Sequence, residues 1–230
     1  MFGALRNIRL LTASFSAPVL LFSVAPAVCQ NTPDQSRRND IVVLPCEGCE
    51  GIFVGFPDSI PSESRIAPDD EPGEPMVISG TVFNQQGEAV PGVVIYAYHT
   101  NAAGIYPSDE SIRGTEAFRH GGLRGWARTD QHGNYRFLTI RPTAYPSRNE
   151  PEHVHMQILE VDCCTYYLTS LKFTDDPLLS EADRRGAEDG RGGNALATPH
   201  RNDDGVWTVT RNIVLGRNIP DYPGGTSGAS

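Results

Sequence analysis

From Met76 onward the sequence is divided into short apolar runs separated by turns rich in glycine, proline, asparagine and aspartate. Runs of this length with such separators predict β-strands, because they are too short for packed helices and the separating residues favour turns. Apolar and polar residues alternate within the runs, so each sheet should have one buried face. We therefore expect an all-β fold in which two sheets pack face to face as a β-sandwich.

The strand pattern extends over most of residues 76–220, and we expect one domain there, followed by a flexible tail, residues 221–230. The predicted strands are Val77 to Phe83, Val93 to Tyr98, Gly125 to Thr129, Tyr135 to Ile140, His153 to Val161, Tyr166 to Phe173 and Val206 to Leu215. Asn84 to Gly87 has the composition of a tight turn, and Asp130 to Asn134 that of a hairpin loop. Ser180 to Glu188 is expected to form a short helix.

Residues 28–75 are rich in proline, serine, aspartate and glutamate, and we expect them to form an extended N-terminal arm. The arm either covers the core of its own domain or exchanges with a partner chain, which would make a homo-oligomer. It carries Cys46 and Cys49 in a CxxC motif, for which a disulfide clip is the favoured interpretation. A zinc site is the alternative, but no second CxxC motif or paired histidine-cysteine set completes it. Cys29 and the adjacent Cys163 and Cys164 complete the cysteines, and the sequence leaves their pairing open.

The first 27 residues have the three parts of a secretory signal. Arg6 and Arg9 supply the positive segment, Leu10 to Val24 the apolar segment, and Ala25-Pro26-Ala27 a cleavage site of small residues. We expect cleavage and a secreted or periplasmic protein. A membrane anchor is the alternative, but polar residues and a proline interrupt the apolar run, so we expect no stable insertion.

The chain is acidic, with 19 lysines and arginines against 28 aspartates and glutamates and a formal net charge of −9. Removal of the predicted signal deletes two arginines and no acid, which makes the charge −11. A chain with this charge is not expected to bind nucleic acid. Lys172 is its only lysine.

His153-Val154-His155 places two imidazoles at positions i and i+2 of a predicted strand. Such residues point to the same side of a sheet, so one metal ion could accept both. An isolated pair of this kind is more often two partly exposed histidines. Tyr106 and Tyr145 lie upstream, and two phenols with two imidazoles suit a hard, redox-active trivalent metal that deprotonates phenols.

Several motifs of this chain occur in the order seen in one enzyme family. They are Gly80-Thr81-Val82, Gly87-Glu88-Ala89-Val90-Pro91-Gly92-Val93, Gly104-Ile105-Tyr106, Arg124-Gly125, Thr129-Asp130, Gly133-Asn134-Tyr135-Arg136-Phe137, Thr139-Ile140-Arg141-Pro142, Tyr145-Pro146 and His153-Val154-His155. In these motifs, which run from about Met76 to Leu179, the chain resembles the intradiol ring-cleavage dioxygenases. Within this family the chain resembles protocatechuate 3,4-dioxygenase and its secreted bacterial relatives.

The resemblance implies a prealbumin-like or immunoglobulin-like sandwich and a non-haem Fe(III) ion held by Tyr106, Tyr145, His153 and His155. It further implies a small aromatic diol and O2 as substrates, with cleavage between the two hydroxylated carbons. Tyr145 would leave the metal when the diol binds and would take up a proton. A phenol whose pKa the metal lowers is a suitable base beside the substrate. Members of the family are often dimers or larger assemblies.

The chain departs from the family pattern beside these residues. Active members usually have an arginine three residues before the first histidine, where this chain has Glu150. Further on, Ser170 and Lys172 stand where the family has glutamine and tyrosine. We expect both to face the metal, with Ser170 binding substrate. Lys172 would replace the missing arginine as a catalytic residue or pair with Glu150; alternatively it extends to solvent.

Arg113 and Arg124 lie in the loop region after Tyr106 and are expected to bind a substrate carboxylate, unless they are solvated loop charges. Three functions remain open: an intradiol dioxygenase, an iron-binding member of the family with altered catalysis, and a prealbumin-like binding module without enzymatic activity. A binding module has no reason to keep two tyrosines and two histidines in register. That feature favours the metal-dependent functions.

Overall fold

The structure is a computed structural model and describes residues 41–42 and 48–223. The predicted signal peptide, Cys29, Cys46 and residues 224–230 lie outside the described residues. The described chain contains short strands, 3-10 turns and an α-helix. The strands are β1 (Glu63–Arg65), β2 (Pro75–Phe83), β3 (Val94–Tyr98), β4 (Arg124–Arg128), β5 (Asn134–Ile140), β6 (His153–Leu159), β7 (Thr165–Tyr167), β8 (Leu171–Phe173), β9 (Leu196–Ala197), β10 (His200–Arg201), β11 (Trp207–Thr210) and β12 (Ile213–Val214), and the helix is α1 (Glu181–Glu188).

The strands form two mixed six-stranded sheets. The first has the order β1-β5-β2-β11-β10, with β12 also paired to β2, and the second has the order β4-β3-β6-β8-β9, with β7 also paired to β6. The core between them takes Ile78 and Phe137 from the first sheet and Ile95, Val154 and Ile158 from the second. The predicted all-β, two-sheet sandwich is therefore confirmed.

The outer face of the second sheet carries the side chains that matter most for function. Along β6, Val154 and Ile158 enter the core, so His153 and His155 point to the opposite face, as the alternation of side chains along a strand requires. Tyr98 of β3 lies directly opposite His155 in the antiparallel ladder and shares that face. The outer face therefore presents a row of aromatic side chains.

The N-terminal arm covers part of this outer face. The arm forms a 3-10 helix at Cys49–Phe53. Nε1 of Trp126, on β4, donates a hydrogen bond to the carbonyl of Ile52 in this helix at 2.7 Å. Arg124 NH1 donates to the carbonyl of Val54 at 2.8 Å. Cys49 is disulfide-bonded. The arm therefore contacts the second sheet of its own chain at Ile52 and Val54, whereas Glu63–Arg65 (β1), which the sequence assigned to the extended arm, pairs with β5 in the first sheet.

The turn Asp130 to Asn134 differs from the expectation. The Asp130 carboxylate accepts hydrogen bonds from the backbone N–H groups of His132 and Asn134, both at 2.8 Å, so the tight turn itself is present. However, β4 belongs to the second sheet and β5 to the first. The prediction of a hairpin loop is wrong, because this turn carries the chain from one sheet to the other.

Other boundaries also differ. The predicted strand Tyr166 to Phe173 is divided into β7 and β8, because the backbone N–H of Thr169 leaves β6 and donates to the carbonyl of Arg191 at 3.2 Å. The predicted helix is present, with Ser180 as its N-cap. Tyr222 donates to the carboxylate of Glu160, so packing extends into the segment expected to be a flexible tail. Within residues 41–42 and 48–223, no helix is long and apolar enough to cross a membrane.

Candidate metal centre

The two histidines of β6 direct their Nε2 atoms toward the same point. These atoms lie 3.1 Å apart. Nδ1 of His153 lies 2.7 Å from the carbonyl oxygen of Pro151, which can only accept, so Nδ1 carries the proton and Nε2 presents a lone pair. Nδ1 of His155 lies 3.1 Å from the hydroxyl of Ser170. Both imidazoles are thus oriented through the nitrogen that faces away from the centre.

Two tyrosines complete this group. Tyr106 follows a turn in which Gly104 has a φ of +72°, and Tyr145 lies in the loop between β5 and β6. Their hydroxyl oxygens are 2.7 Å apart, and the Tyr145 oxygen is 3.3 Å from Nε2 of His153. The chain therefore brings together the four residues that the sequence singled out as ligands.

Gly104 permits this approach. A Cβ atom at this position would lie 2.1 Å from the carbonyl oxygen of Ala144, the residue before Tyr145. The backbone of the loop that carries Tyr106 therefore contacts the backbone of the loop that carries Tyr145. A side chain at Gly104 would separate the two phenols.

The donor atoms suit a hard cation. When Nδ1 of His155 donates to Ser170, both Nε2 atoms direct lone pairs at one point beside two phenol oxygens. Lone pairs placed so closely repel one another unless a proton or a cation lies between them. Two phenol oxygens and two imidazole nitrogens are ligands that a trivalent iron ion accepts. The residues present therefore fit the metal that the sequence predicts.

Burial keeps Tyr106, Tyr145 and His155 uncharged when no cation is bound. It raises the pKa of Tyr106, with the hydrogen bond to Tyr145 as the next cause, and it also raises the pKa of Tyr145. The carboxylate of Glu150 raises both further. Burial lowers the pKa of His155 to about 3, and His153 contributes to that shift. The phenols are therefore protonated and His155 is neutral at neutral pH.

Ser170 lies where the sequence placed it, in contact with His155, but Lys172 has a different partner. Lys172 is directly opposite His153 in the β6–β8 ladder, yet its ammonium lies 2.5 Å from a carboxylate oxygen of Asp183. The expected pair with Glu150 is thus replaced. The reason is the N-terminus of α1, where Asp183 accepts hydrogen bonds in the capping box and faces β8.

Arg113 and Arg124 have contacts of their own. Arg113 forms an ion pair with Glu110 at the surface, where its side chain is 65% exposed. Arg124 binds the arm at Val54, and its guanidinium lies 5.1 Å from the centre of the Trp126 ring. These placements favour loop and arm contacts over the predicted binding of a substrate carboxylate.

Two further residues lie at this group although no sequence signal indicated them. The ring of Tyr98 stacks on that of His155, with centroids 4.7 Å apart. The guanidinium of Arg148 lies 5.6 Å from the centre of the Tyr145 ring. The first contact depends on strand register and the second on loop conformation. Alternation along β3 is consistent with Tyr98 on the outer face, whereas its position opposite His155 is set by the pairing of β3 with β6.

The chain is similar to known dioxygenases in sequence. Residues 58–215 match the model of a family described as dioxygenase. The chain is 32% identical over 122 residues to the protocatechuate 3,4-dioxygenase beta chain of Burkholderia cepacia, covering 47% of this chain and 48% of that protein. It is 27% identical over 169 residues to the chlorocatechol 1,2-dioxygenase of Pseudomonas putida, covering 65% of this chain and 59% of that protein. The chain thus spans about half to three fifths of the length of these relatives.

Solved structures show the same fold. Catechol 1,2-dioxygenase from Acinetobacter sp. ADP1 superimposes with a TM-score of 0.52 at 20% identity, covering 69% of this chain and 59% of that one. The dioxygenase domain of a carbohydrate-binding fusion protein from Streptomyces sp. SirexAA-E gives a TM-score of 0.50 at 22% identity, covering 70% of this chain and 91% of that one. Since the family model matches well over half of the chain, the protein belongs to the family of intradiol ring-cleavage dioxygenases.

Proposed function

We propose that the protein is a non-haem Fe(III) dioxygenase that cleaves a catechol-type ring between its two hydroxylated carbons with O2. The observation that carries the proposal is the convergence of Tyr106, Tyr145, His153 and His155 on one point. Family membership supports the class of reaction, and the named relatives act on protocatechuate and chlorocatechol.

These four side chains would hold the iron. When bound, ferric iron makes a chelated catechol reactive toward O2. A positive charge at this point opposes the effect of burial and lowers the pKa of both phenols. Tyr145, whose oxygen contacts both Tyr106 and His153, is then a phenolate that can accept a proton from a substrate hydroxyl. His153 and His155 keep their orientation through Pro151 and Ser170 while that proton moves.

The charges around the site favour a second candidate, a family member that binds iron but has altered catalysis. The Glu150 carboxylate acts on both phenols and opposes negative charge on a bound substrate. The Lys172 ammonium is held by Asp183, so it does not compensate for Glu150. Arg148, beside Tyr145, supplies a positive charge instead. Turnover depends on the balance between these two charges.

Ferric reconstitution tests the iron site. The metal-free protein is loaded with Fe(III), and we expect a visible tyrosinate-to-iron absorption band. Tyr106→Phe should weaken this band. The control Tyr167→Phe, on β7, should leave it unchanged. Stoichiometric iron without this band would contradict the ligand set. A protein that binds no iron would favour the non-enzymatic binding module.

Substrate addition then separates the two metal-dependent functions. Without O2, catechol, protocatechuate and hydroxyquinol are added in turn, and we expect one of them to shift the band. Admission of O2 should then yield a ring-opened product with uptake of one O2 per diol. A shifted band without O2 uptake would favour the altered member, and Glu150→Gln should then raise turnover, whereas Glu188→Gln on α1 should not.

The compartment is part of the proposal. We infer that the mature protein acts outside the cytoplasm, as the predicted signal at Met1 to Ala27 suggests. The disulfide at Cys49 supports an oxidising compartment. Expression of the full chain in a bacterial host, followed by fractionation and N-terminal sequencing, tests this. An uncleaved chain in the cytoplasm would contradict it.

A further inference from the structure

The imidazole of His155 belongs to a stack of three rings, formed by His155, Tyr98 and His120. The centroids of Tyr98 and His155 are 4.7 Å apart with an interplanar angle of 20°. Those of Tyr98 and His120 are 3.8 Å apart with an angle of 12°. Near-parallel rings at these distances are in van der Waals contact. The orientation of His155 is therefore linked through Tyr98 to His120, which lies outside the ligand group.

Strand pairing fixes one end of the stack. Tyr98 and His155 are partners in the β3–β6 ladder, so their side chains must lie on the same face of the sheet. Ser170 constrains Nδ1 of His155 within the plane of the ring. A hydrogen bond in this plane leaves the ring free to tilt about the bond, and contact with the face of Tyr98 limits that tilt.

Buried contacts fix the other end. His120 is 1% exposed and lies at the end of a 3-10 turn, Glu116–His120. Its Nδ1 is 3.0 Å from the hydroxyl of Tyr96. Burial, with Arg124 and Arg119 as the next causes, lowers the pKa of His120 to about 4, so the ring is neutral at neutral pH. A neutral ring stacks against Tyr98 without bringing a positive charge to the buried site.

The N-terminal arm closes the stack. A Cβ atom on Gly51 would lie 2.3 Å from Cε1 and 2.6 Å from Nδ1 of His120. A Cβ atom on Gly48 would lie 2.7 Å from Nε2 of the same ring. These glycines flank Cys49, which is disulfide-bonded. The backbone of the arm at Gly48 and Gly51 therefore packs directly against the His120 ring. Any side chain at Gly51 would displace that ring.

We propose that Tyr98 and His120 are positioning residues that hold the His155 imidazole for the metal, with the arm turn at Gly48 and Gly51 as their support. This rests on the proposed iron site. Residues that orient a metal ligand typically contribute about 10- to 100-fold in metal affinity. The inference gives Gly48, which lies within the CxxC motif, and Gly51, two residues after the motif, a function at the metal centre besides any role in folding.

The test compares Tyr98→Phe, which keeps the ring, with Tyr98→Leu, which removes it. Ferric affinity is measured by competition with a chelator, and the iron-loaded proteins are examined by visible and electron paramagnetic resonance spectroscopy. We expect Tyr98→Leu to lower affinity about 10- to 100-fold and to broaden the resonance. Tyr98→Phe should keep the ferric affinity of the wild type, because the stack is retained. Thermal unfolding of the metal-free proteins reports any general loss of stability.

Gly51→Ala provides a second variant, which retains all three rings of the stack but displaces His120, and it tests the proposal if Tyr98→Leu does not fold. Its control is Gly186→Ala on α1, where a Cβ atom meets nothing within 4 Å. We expect Gly51→Ala to change the resonance in the same direction as Tyr98→Leu, and Gly186→Ala to leave it unchanged. Wild-type affinity and spectra in both Tyr98→Leu and Gly51→Ala would overturn the inference while leaving the proposed function intact. Failure of the wild type to bind iron would overturn both.

Discussion

Substitution of Gly104 by alanine tests whether the two phenol-bearing loops must touch. Gly104 has a φ of +72°, and an alanine there would place its Cβ 2.1 Å from the carbonyl oxygen of Ala144. An ordinary contact between carbon and oxygen is about 3.3 Å or more. The loops must therefore separate by about 1 Å, and Tyr145, the next residue, must move with Ala144.

Two costs add at this position. The left-handed backbone costs an alanine about 1 to 2 kcal/mol relative to glycine. The clash with Ala144 is an overpacking term of about 1 to 3 kcal/mol, since the obstacle is backbone and no side-chain rotation relieves it. Gly114→Ala is a matched control, because Gly114 has a φ of +80° and a Cβ there meets nothing within 4 Å. Gly114→Ala therefore carries only the cost of the left-handed backbone, without a clash.

Unfolding in denaturant and chelator competition measure the two effects. We expect Gly114→Ala to lose about 1 to 2 kcal/mol of stability with unchanged ferric affinity. Gly104→Ala should lose about 2 to 5 kcal/mol, the sum of both costs. Its ferric affinity and visible band should fall, because the Tyr106 and Tyr145 oxygens no longer meet. Equal behaviour of the two variants would refute the claim that contact between the loops builds the site.

Three other substitutions test individual residues. Burial lowers the pKa of His99 from 6.5 to about 4. Between pH 6.5 and 4 the unfolded chain therefore binds a proton at this residue that the folded chain does not. The free energy of unfolding consequently falls as the pH falls through this range. His99→Gln should reduce the loss of stability between pH 7.5 and 4.5 by about 2.5 kcal/mol in denaturant titrations of the metal-free protein, and parallel pH curves would contradict this. Lys172→Met should lower stability by about 1 kcal/mol through the lost pair with Asp183 and leave the iron band unchanged; loss of turnover with iron retained would instead restore a catalytic role for Lys172. Ser170→Ala should weaken ferric binding about tenfold, as measured by chelator competition, because Nδ1 of His155 loses its partner, and unchanged affinity would show that stacking alone fixes the ring.

The sequence predicted the parts of the fold that depend on local periodicity. Alternation along the strand correctly placed His153 and His155 on one face and Val154 in the core. Turn composition located the bend at Asp130 to Asn134, but it did not reveal which sheets the bend joins. Composition describes the local conformation of the backbone, whereas sheet membership depends on long-range pairing. The same limit applies to Tyr98, whose position opposite His155 is a matter of register.

Lys172 shows where prediction from periodicity ends. Its face was predicted correctly, since it lies opposite His153 in the ladder. Its partner was not, because Asp183 reaches it from a helix that follows in the chain, and only the docking of α1 brings the two together. Residues on one face of a strand can be read from their spacing. The charge that meets them across a tertiary contact requires the fold.

The proposed ligand set and the charges that would govern turnover come from different parts of the site. Alternation in β6 places the two histidines of the proposed ligand set, whereas Tyr106 and Tyr145 meet through contact between the turn at Gly104 and the loop between β5 and β6. In the proposed enzyme, the electrostatics of turnover would depend on Glu150 and Arg148, which lie in the loop before β6 and shift the pKa of Tyr145 in opposite directions. Arg148 is exposed and its charge is screened by solvent, so a substitution at the half-buried Glu150 would alter turnover more strongly while leaving the ligands unchanged.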